Sequence, residues 1–181
     1  MKSALPALVL LGAALPAAPP GTLLDNTGSR LSVALDGQVT AVVFISSLCP
    51  ISNEYVDRMI ALWREFTPRG VRFLFVNSNV NESAREVREH AAVAGFPFPV
   101  YRDIRNGLAN RLHATITPEA FLLDASGAVR YQGAFDDARN PARVKVEFLK
   151  EGIEALLAGK PVPRAAAKAT GCTIKRERKA S

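Results

Sequence analysis

The sequence predicts an α/β fold: a central mixed β-sheet flanked by helices in three layers, with a β-hairpin extension at its N-terminal end. Two apolar runs, 39–45 and 71–76, have the length and composition of buried strands and are separated by a segment of helical periodicity. Two later apolar runs, 120–123 and 128–132, are joined by Asp124-Ala125-Ser126-Gly127, residues that tolerate a tight reversal and close an antiparallel hairpin. Strands alternating with helices give parallel neighbours through right-handed crossovers, and the hairpin adds antiparallel ones. With 181 residues and 48% hydrophobic content, the chain can fill one core and needs no second domain.

In order, 22–33 holds two short apolar pieces around Asn26-Thr27-Gly28 and predicts the hairpin. The first buried strand is 39–45. Tyr55, Met59, Leu62, Trp63 and Phe66 fall at three- and four-residue spacing, so 52–66 is an amphipathic helix ended by Pro68 and Gly70. A second strand follows at 71–76. Segment 81–94 is a polar surface helix with Val87, Ala91 and Ala94 on one side, stopped by Gly95. A short strand at 98–101 and a short helix at 104–112 lead to the hairpin. Pro141 then opens a helix through Val144, Phe148, Ile153, Leu156 and Leu157 to Gly159.

The two ends differ from the body. Lys2, an apolar stretch over 4–14 and the small residues Ala17 and Ala18 follow the order of a secretory signal. That stretch is shorter than the roughly 20 apolar residues a spanning helix needs, so residues 1–20 predict export to a periplasmic or extracellular compartment, or an uncleaved anchor. At the other end, 160–181 holds seven basic residues and one acidic, which accounts for the whole net charge of +6. The body is therefore near neutral. A basic tail without interleaved aromatics argues against a nucleic-acid partner and predicts a solubilising segment, with contact to anionic surfaces the alternative. The organisation is thus 1–20 signal, 21–160 domain, and 161–181 tail carrying Cys172.

Cys49 is the residue on which chemistry centres. The run Val42-Val43-Phe44-Ile45 ends in Ser46-Ser47-Leu48-Cys49-Pro50 and gives way to helix-compatible sequence, placing a thiol where a strand hands over to a helix. Unpaired N–H groups and the positive end of the helix dipole lower a thiol there below its free pKa of about 8.5. In an oxidising compartment the only other cysteine, Cys172, becomes a candidate partner, redox-active or in a static bridge, an unrelated or intermolecular thiol being the third reading. Gly171-Cys172-Thr173-Ile174-Lys175 is a small apolar patch in an otherwise Ala- and Lys-rich tail, and Gly171 lets the chain pass close to the body. The two cysteines with His90 and His113 match no standard metal spacing, so no metal or other cofactor is expected.

The blocks Phe44-Ile45-Ser46-Ser47-Leu48-Cys49-Pro50, Val76-Asn77-Ser78-Asn79, Phe98-Pro99-Val100-Tyr101-Arg102-Asp103 and Thr117-Pro118-Glu119-Ala120-Phe121-Leu122-Leu123-Asp124 resemble the thioredoxin-like superfamily. The likeness is to its redoxin branch, the alkyl hydroperoxide reductase and thiol-specific antioxidant proteins, and it covers roughly 22–160. The resemblance implies a cis peptide at Pro118 beside Cys49. It leaves the backbone of Thr117 to pair with an extended thiol partner.

Two departures matter. Ser52 stands where a thioredoxin has its second cysteine, so no local disulfide can form. Ser46 stands where a peroxiredoxin has its threonine, and Val42 where it has proline. The expected function is thiol-disulfide exchange, or thiol-dependent reduction, at Cys49 with Cys172 resolving; Ser46, Pro50, Thr117 and Pro118 form the substrate side. Partners are thiol or disulfide proteins, or small peroxides. The alternatives are a hydroperoxide reductase and a non-catalytic metal-delivery module on the same fold. His113 and His90 read as surface residues, Trp63 as core, and Glu54 and Asp57 as charges complementing a helix start.

Overall fold

The computed structural model describes residues 21–25 and 27–177; the signal-like segment lies outside them. Among the described residues, eight strands form one mixed sheet, flanked on both faces. The N-terminal hairpin is β1 (Gly21–Leu24) with β2 (Arg30–Val33), in antiparallel register. Its turn is organised by Asp25, whose carboxylate accepts from the N–H groups of Thr27 and Ser29. Strand β3 (Thr40–Ile45) pairs in parallel with β4 (Arg72–Asn77), and β4 in parallel with β5 (Val100–Asp103). On its other edge β3 pairs antiparallel with β7 (Glu119–Leu123), which forms the predicted hairpin with β8 (Val129–Gly133). The order across the sheet is β2-β1-β5-β4-β3-β7-β8-β9, where β9 (Ala166–Ala167) runs parallel to β8.

The alternation of β3 sorts the core into two clusters. Ala41, Val43 and Ile45 point to one face, where they join Met59, Phe66, Val87, Leu149 and Ile153; Val42 and Phe44 point to the other, with Leu74, Leu108, Leu112 and Phe121. Helices α2 (Val56–Phe66), α3 (Ala84–Val93) and α5 (Phe148–Leu157) therefore cover the first face, and α4 (Gly107–Leu112) the second. Each fully buried large apolar side chain contributes about 1.5–3 kcal/mol, and all six residues of β3 are buried, which anchors the start of the loop that follows it.

Three expectations are corrected. The helix expected over 52–66 starts earlier, as a single turn α1 (Pro50–Asn53), and restarts as α2 after Glu54 and Tyr55. The helix expected from Pro141 is one 3₁₀ turn, Pro141–Arg143, with α5 beginning only at Phe148. Asp137 diverts the segment between: its carboxylate accepts from the N–H groups of Lys145 and Val146, and its own N–H donates to the Val146 carbonyl. The tail, expected to solubilise, is docked over its described residues. Besides β9, its strand β10 (Cys172–Thr173) pairs antiparallel with β6 (Ile116–Thr117) in a small second sheet.

Candidate active site

The end of β3 delivers Ser46, Ser47 and Leu48, and Cys49 follows as the N-cap of α1. Pro50 occupies the first helical position, where a missing N–H costs nothing because that donor has no intrahelical acceptor. Cys49 is extended (φ −92°, ψ 109°) and only 1% exposed, and its Sγ accepts from the Ser52 N–H at 3.4 Å. As a thiol it donates to the Thr117 carbonyl at 3.1 Å. As a thiolate it gives up that bond and keeps the ones it accepts.

Thr117–Pro118 is a cis peptide, and it brings Thr117 against Cys49. In the register of β10 on β6, Cys172 lies directly opposite Thr117 and Thr173 opposite Ile116. The Thr117 hydroxyl donates to the Cys172 carbonyl at 3.4 Å. Gly171 is required for this approach: a Cβ there would lie 2.6 Å from the Thr117 carbonyl carbon. The strand pairing attributed to a thiol partner by resemblance is thus made by the chain's own tail.

Burial is the largest influence on Cys49 and opposes ionisation, yet the thiol is held below its ordinary pKa. Hydrogen bonds from the Cys172 thiol, the Ser52 N–H, the Thr117 side chain and the Cys172 N–H outweigh it. These are discrete donors. A one-turn α1 has little macrodipole of its own, so the expected dipole effect is carried by the local N–H groups. Cys172, half-buried, moves the other way: its hydrogen bond to Cys49 pushes it up to about 11. Both cysteines are free thiols in this structure, with Cys49 the one poised to ionise and Cys172 the proton-bearing donor.

The loop before Cys49 is fixed by Glu82, which sequence reasoning missed. Its buried carboxylate accepts from the Ser46 hydroxyl at 2.6 Å, the Ser47 N–H at 2.8 Å, the Ser47 hydroxyl and the Asn77 amide at 2.8 Å. Ser46 in turn accepts from the Leu48 N–H at 3.2 Å. The Ser46 hydroxyl is therefore committed to Glu82 and makes no hydrogen bond to Cys49. No spacing in Asn77-Ser78-Asn79-Val80-Asn81-Glu82 marks the last residue as buried.

Glu54, read as a helix-start charge, forms a two-bond ion pair with Arg139 on the surface beside the site. Arg139 is raised chiefly by that hydrogen bond to Glu54, and the negative charge of Cys49 adds to the shift. His90 is not simply solvated: it is half-buried, with Nε2 2.9 Å from Asn53 Oδ1. His113 is exposed and ends α4 with a left-handed φ of 56°. Trp63 is partly buried and packs 5.7 Å, centroid to centroid, from Phe98. Among the described residues, no group of three or more His, Cys, Asp or Glu is arranged to hold a metal ion, and no helix is long and apolar enough to cross a membrane.

Residues 16–132 match the AhpC/TSA family. A solved structure described as an uncharacterized conserved protein from Geobacillus kaustophilus is 28% identical, with a TM-score of 0.81 over 91% of this chain and 92% of its own. A hypothetical protein from Sinorhizobium meliloti 1021 is 27% identical, with a TM-score of 0.78 over 91% and 96%. A secreted Mycobacterium tuberculosis disulfide oxidoreductase, described as homologous to E. coli DsbE, is 14% identical with a TM-score of 0.57 over 76% and 94%, and shares the fold. None of the curated proteins matches the chain.

Proposed function

The chain belongs to the AhpC/TSA family, and from that premise we propose that it is an exported thiol-disulfide oxidoreductase in which Cys49 attacks and Cys172 resolves. The observation that carries this reading is the register that sets Cys172 opposite Thr117, the residue whose carbonyl accepts from the Cys49 thiol. In the first step the Cys49 thiolate attacks one sulfur of a substrate disulfide; a Cys49–substrate S–S bond forms and the other sulfur leaves as thiolate. In the second, Cys172 gives up its proton to that leaving thiolate or to water and attacks Cys49 Sγ. A Cys49–Cys172 disulfide forms and the substrate's remaining sulfur departs. Two electrons have then passed from the dithiol to the substrate, and an external thiol must restore the pair.

Disulfide rather than peroxide is the favoured oxidant. The hydroxyl that stands at the peroxiredoxin threonine's place, that of Ser46, donates to Glu82 and not to Cys49. Thr117 and Pro118 shape the substrate side as the cis corner, and Pro50 acts by starting α1 at the cysteine. Export rests on the signal-like order of residues 1–20.

The test is incubation of the reduced protein with a disulfide, followed by peptide mapping. A Cys49–Cys172 linkage with stoichiometric release of substrate thiol supports the reading. Oxidation of neither cysteine by disulfide, together with rapid sulfenic acid formation by peroxide, replaces it with the hydroperoxide reductase.

A further inference from the structure

We infer that residues 171–177 form a strap that competes with protein substrates for the strand-pairing edge of Ile116–Thr117, so that the site is open to small disulfides and gated against polypeptide ones. This rests on the thiol-disulfide reading above. An extended polypeptide gains affinity at such an edge by adding a strand and presenting its side chains at alternate positions. Among the described residues β6 pairs with β10 alone, and the residue opposite Thr117 is Cys172. The tail thus already presents a sulfur to Cys49 in the manner of a bound substrate strand. Cys49 is 1% exposed beneath these contacts, so a partner strand enters only as the strap leaves.

The strap is held as a docked ligand is held. Ile174 is 3% exposed and joins Leu108, Leu112 and Phe121 in the cluster under α4. Its N–H donates to the Thr115 carbonyl at 3.0 Å, the Lys175 N–H to Asn79 Oδ1 at 2.9 Å, and the Glu177 N–H to Asn106 Oδ1 at 3.0 Å. The Lys175 carbonyl accepts from the Val80 N–H at 3.0 Å, and the Arg176 guanidinium donates to Asn110 Oδ1 and the Ala114 carbonyl. Asn79 accepts the strap through Oδ1 while its Nδ2 is buried with no hydrogen-bond partner. A small disulfide needs only the Cys172 side chain to swing aside, whereas a polypeptide must break the backbone pairing.

The experiment measures the rate of mixed-disulfide formation at Cys49 with oxidised glutathione and with native, disulfide-bonded insulin. It uses full-length Cys172→Ser protein, which removes resolution and isolates the first step. Ile174→Asp is then added to release the strap; Arg176→Ala, which removes only the guanidinium contacts, is a milder release should the first variant fail to fold. With an open state populated at about 1–10%, release raises the insulin-to-glutathione rate ratio about tenfold or more for Ile174→Asp, and in the same direction for Arg176→Ala. A ratio that does not rise in either folded variant overturns the gate. Failure of both disulfides to form an adduct in every variant overturns the thiol-disulfide reading itself, which separates the two failures.

Discussion

Thr117 touches both cysteines: its carbonyl accepts from the Cys49 thiol at 3.1 Å, and its backbone pairs with Cys172 across the β6–β10 ladder. A single residue beside the cis corner therefore contacts two cysteines that are 123 positions apart in the chain.

If Cys172 resolves, its removal must strand the first intermediate. Cys172→Ser treated with oxidised glutathione accumulates a stable Cys49 adduct, while the wild-type protein passes through it to the internal disulfide. Cys49→Ser yields no internal disulfide and no turnover. Intact-mass spectrometry after acid quench distinguishes these products, and turnover by Cys49→Ser at the wild-type rate would remove Cys49 from the mechanism.

Gly171→Ala tests the close passage of the tail. The added Cβ overlaps the Thr117 carbonyl and pushes β10 off register. A misplacement of about 1 Å costs about ten- to a hundredfold in an intramolecular attack, so closure of the internal disulfide slows by that factor while the global fold persists. Stopped-flow release of substrate thiol reads the rate, and unchanged closure would show that the register is irrelevant.

Glu82→Ala removes the acceptor for Ser46, Ser47 and Asn77 at one stroke. Buried donors left unpaired cost about 1–3 kcal/mol each, and loops relax to recover part of it, so a net loss of about 2–4 kcal/mol is expected in urea denaturation. Glu82→Gln keeps one acceptor and loses less. A change below about 0.5 kcal/mol, the level of an ordinary surface substitution, would contradict the role given to this carboxylate.

The contrast between Cys49 and Glu82 shows what the sequence made legible. Cys49 announced itself because a buried strand has a composition of its own and ends at Ser-Ser-Leu-Cys-Pro, a local pattern. Gly171-Cys172 stood out as an apolar patch in a basic tail for the same reason. Glu82 was silent because its partners Ser46 and Ser47 lie 36 and 35 positions away and meet it only once β3 and β4 are side by side. The docking of the tail was hidden likewise: Asn79, Asn106 and Asn110, which receive it, lie in the loop after β4, in a 3₁₀ turn and in α4, with nothing in common locally. The helix misplaced at Pro141 failed for a different reason. Its periodicity was adequate, but Asp137 captured the N–H groups that a continuing helix needed.

The central claim is that Cys49 is ionised by hydrogen bonds that include those of Cys172, and the pH dependence of its alkylation tests it most directly. Lowering influences outweigh burial at Cys49, so the midpoint of its reaction with iodoacetamide lies below the free-thiol value of about 8.5. Cys172→Ala deletes one of the donors to the thiolate while Ser52 remains, so its midpoint moves upward toward that value. A midpoint at the free-thiol value in the wild-type protein, unmoved by Cys172→Ala, would contradict the account.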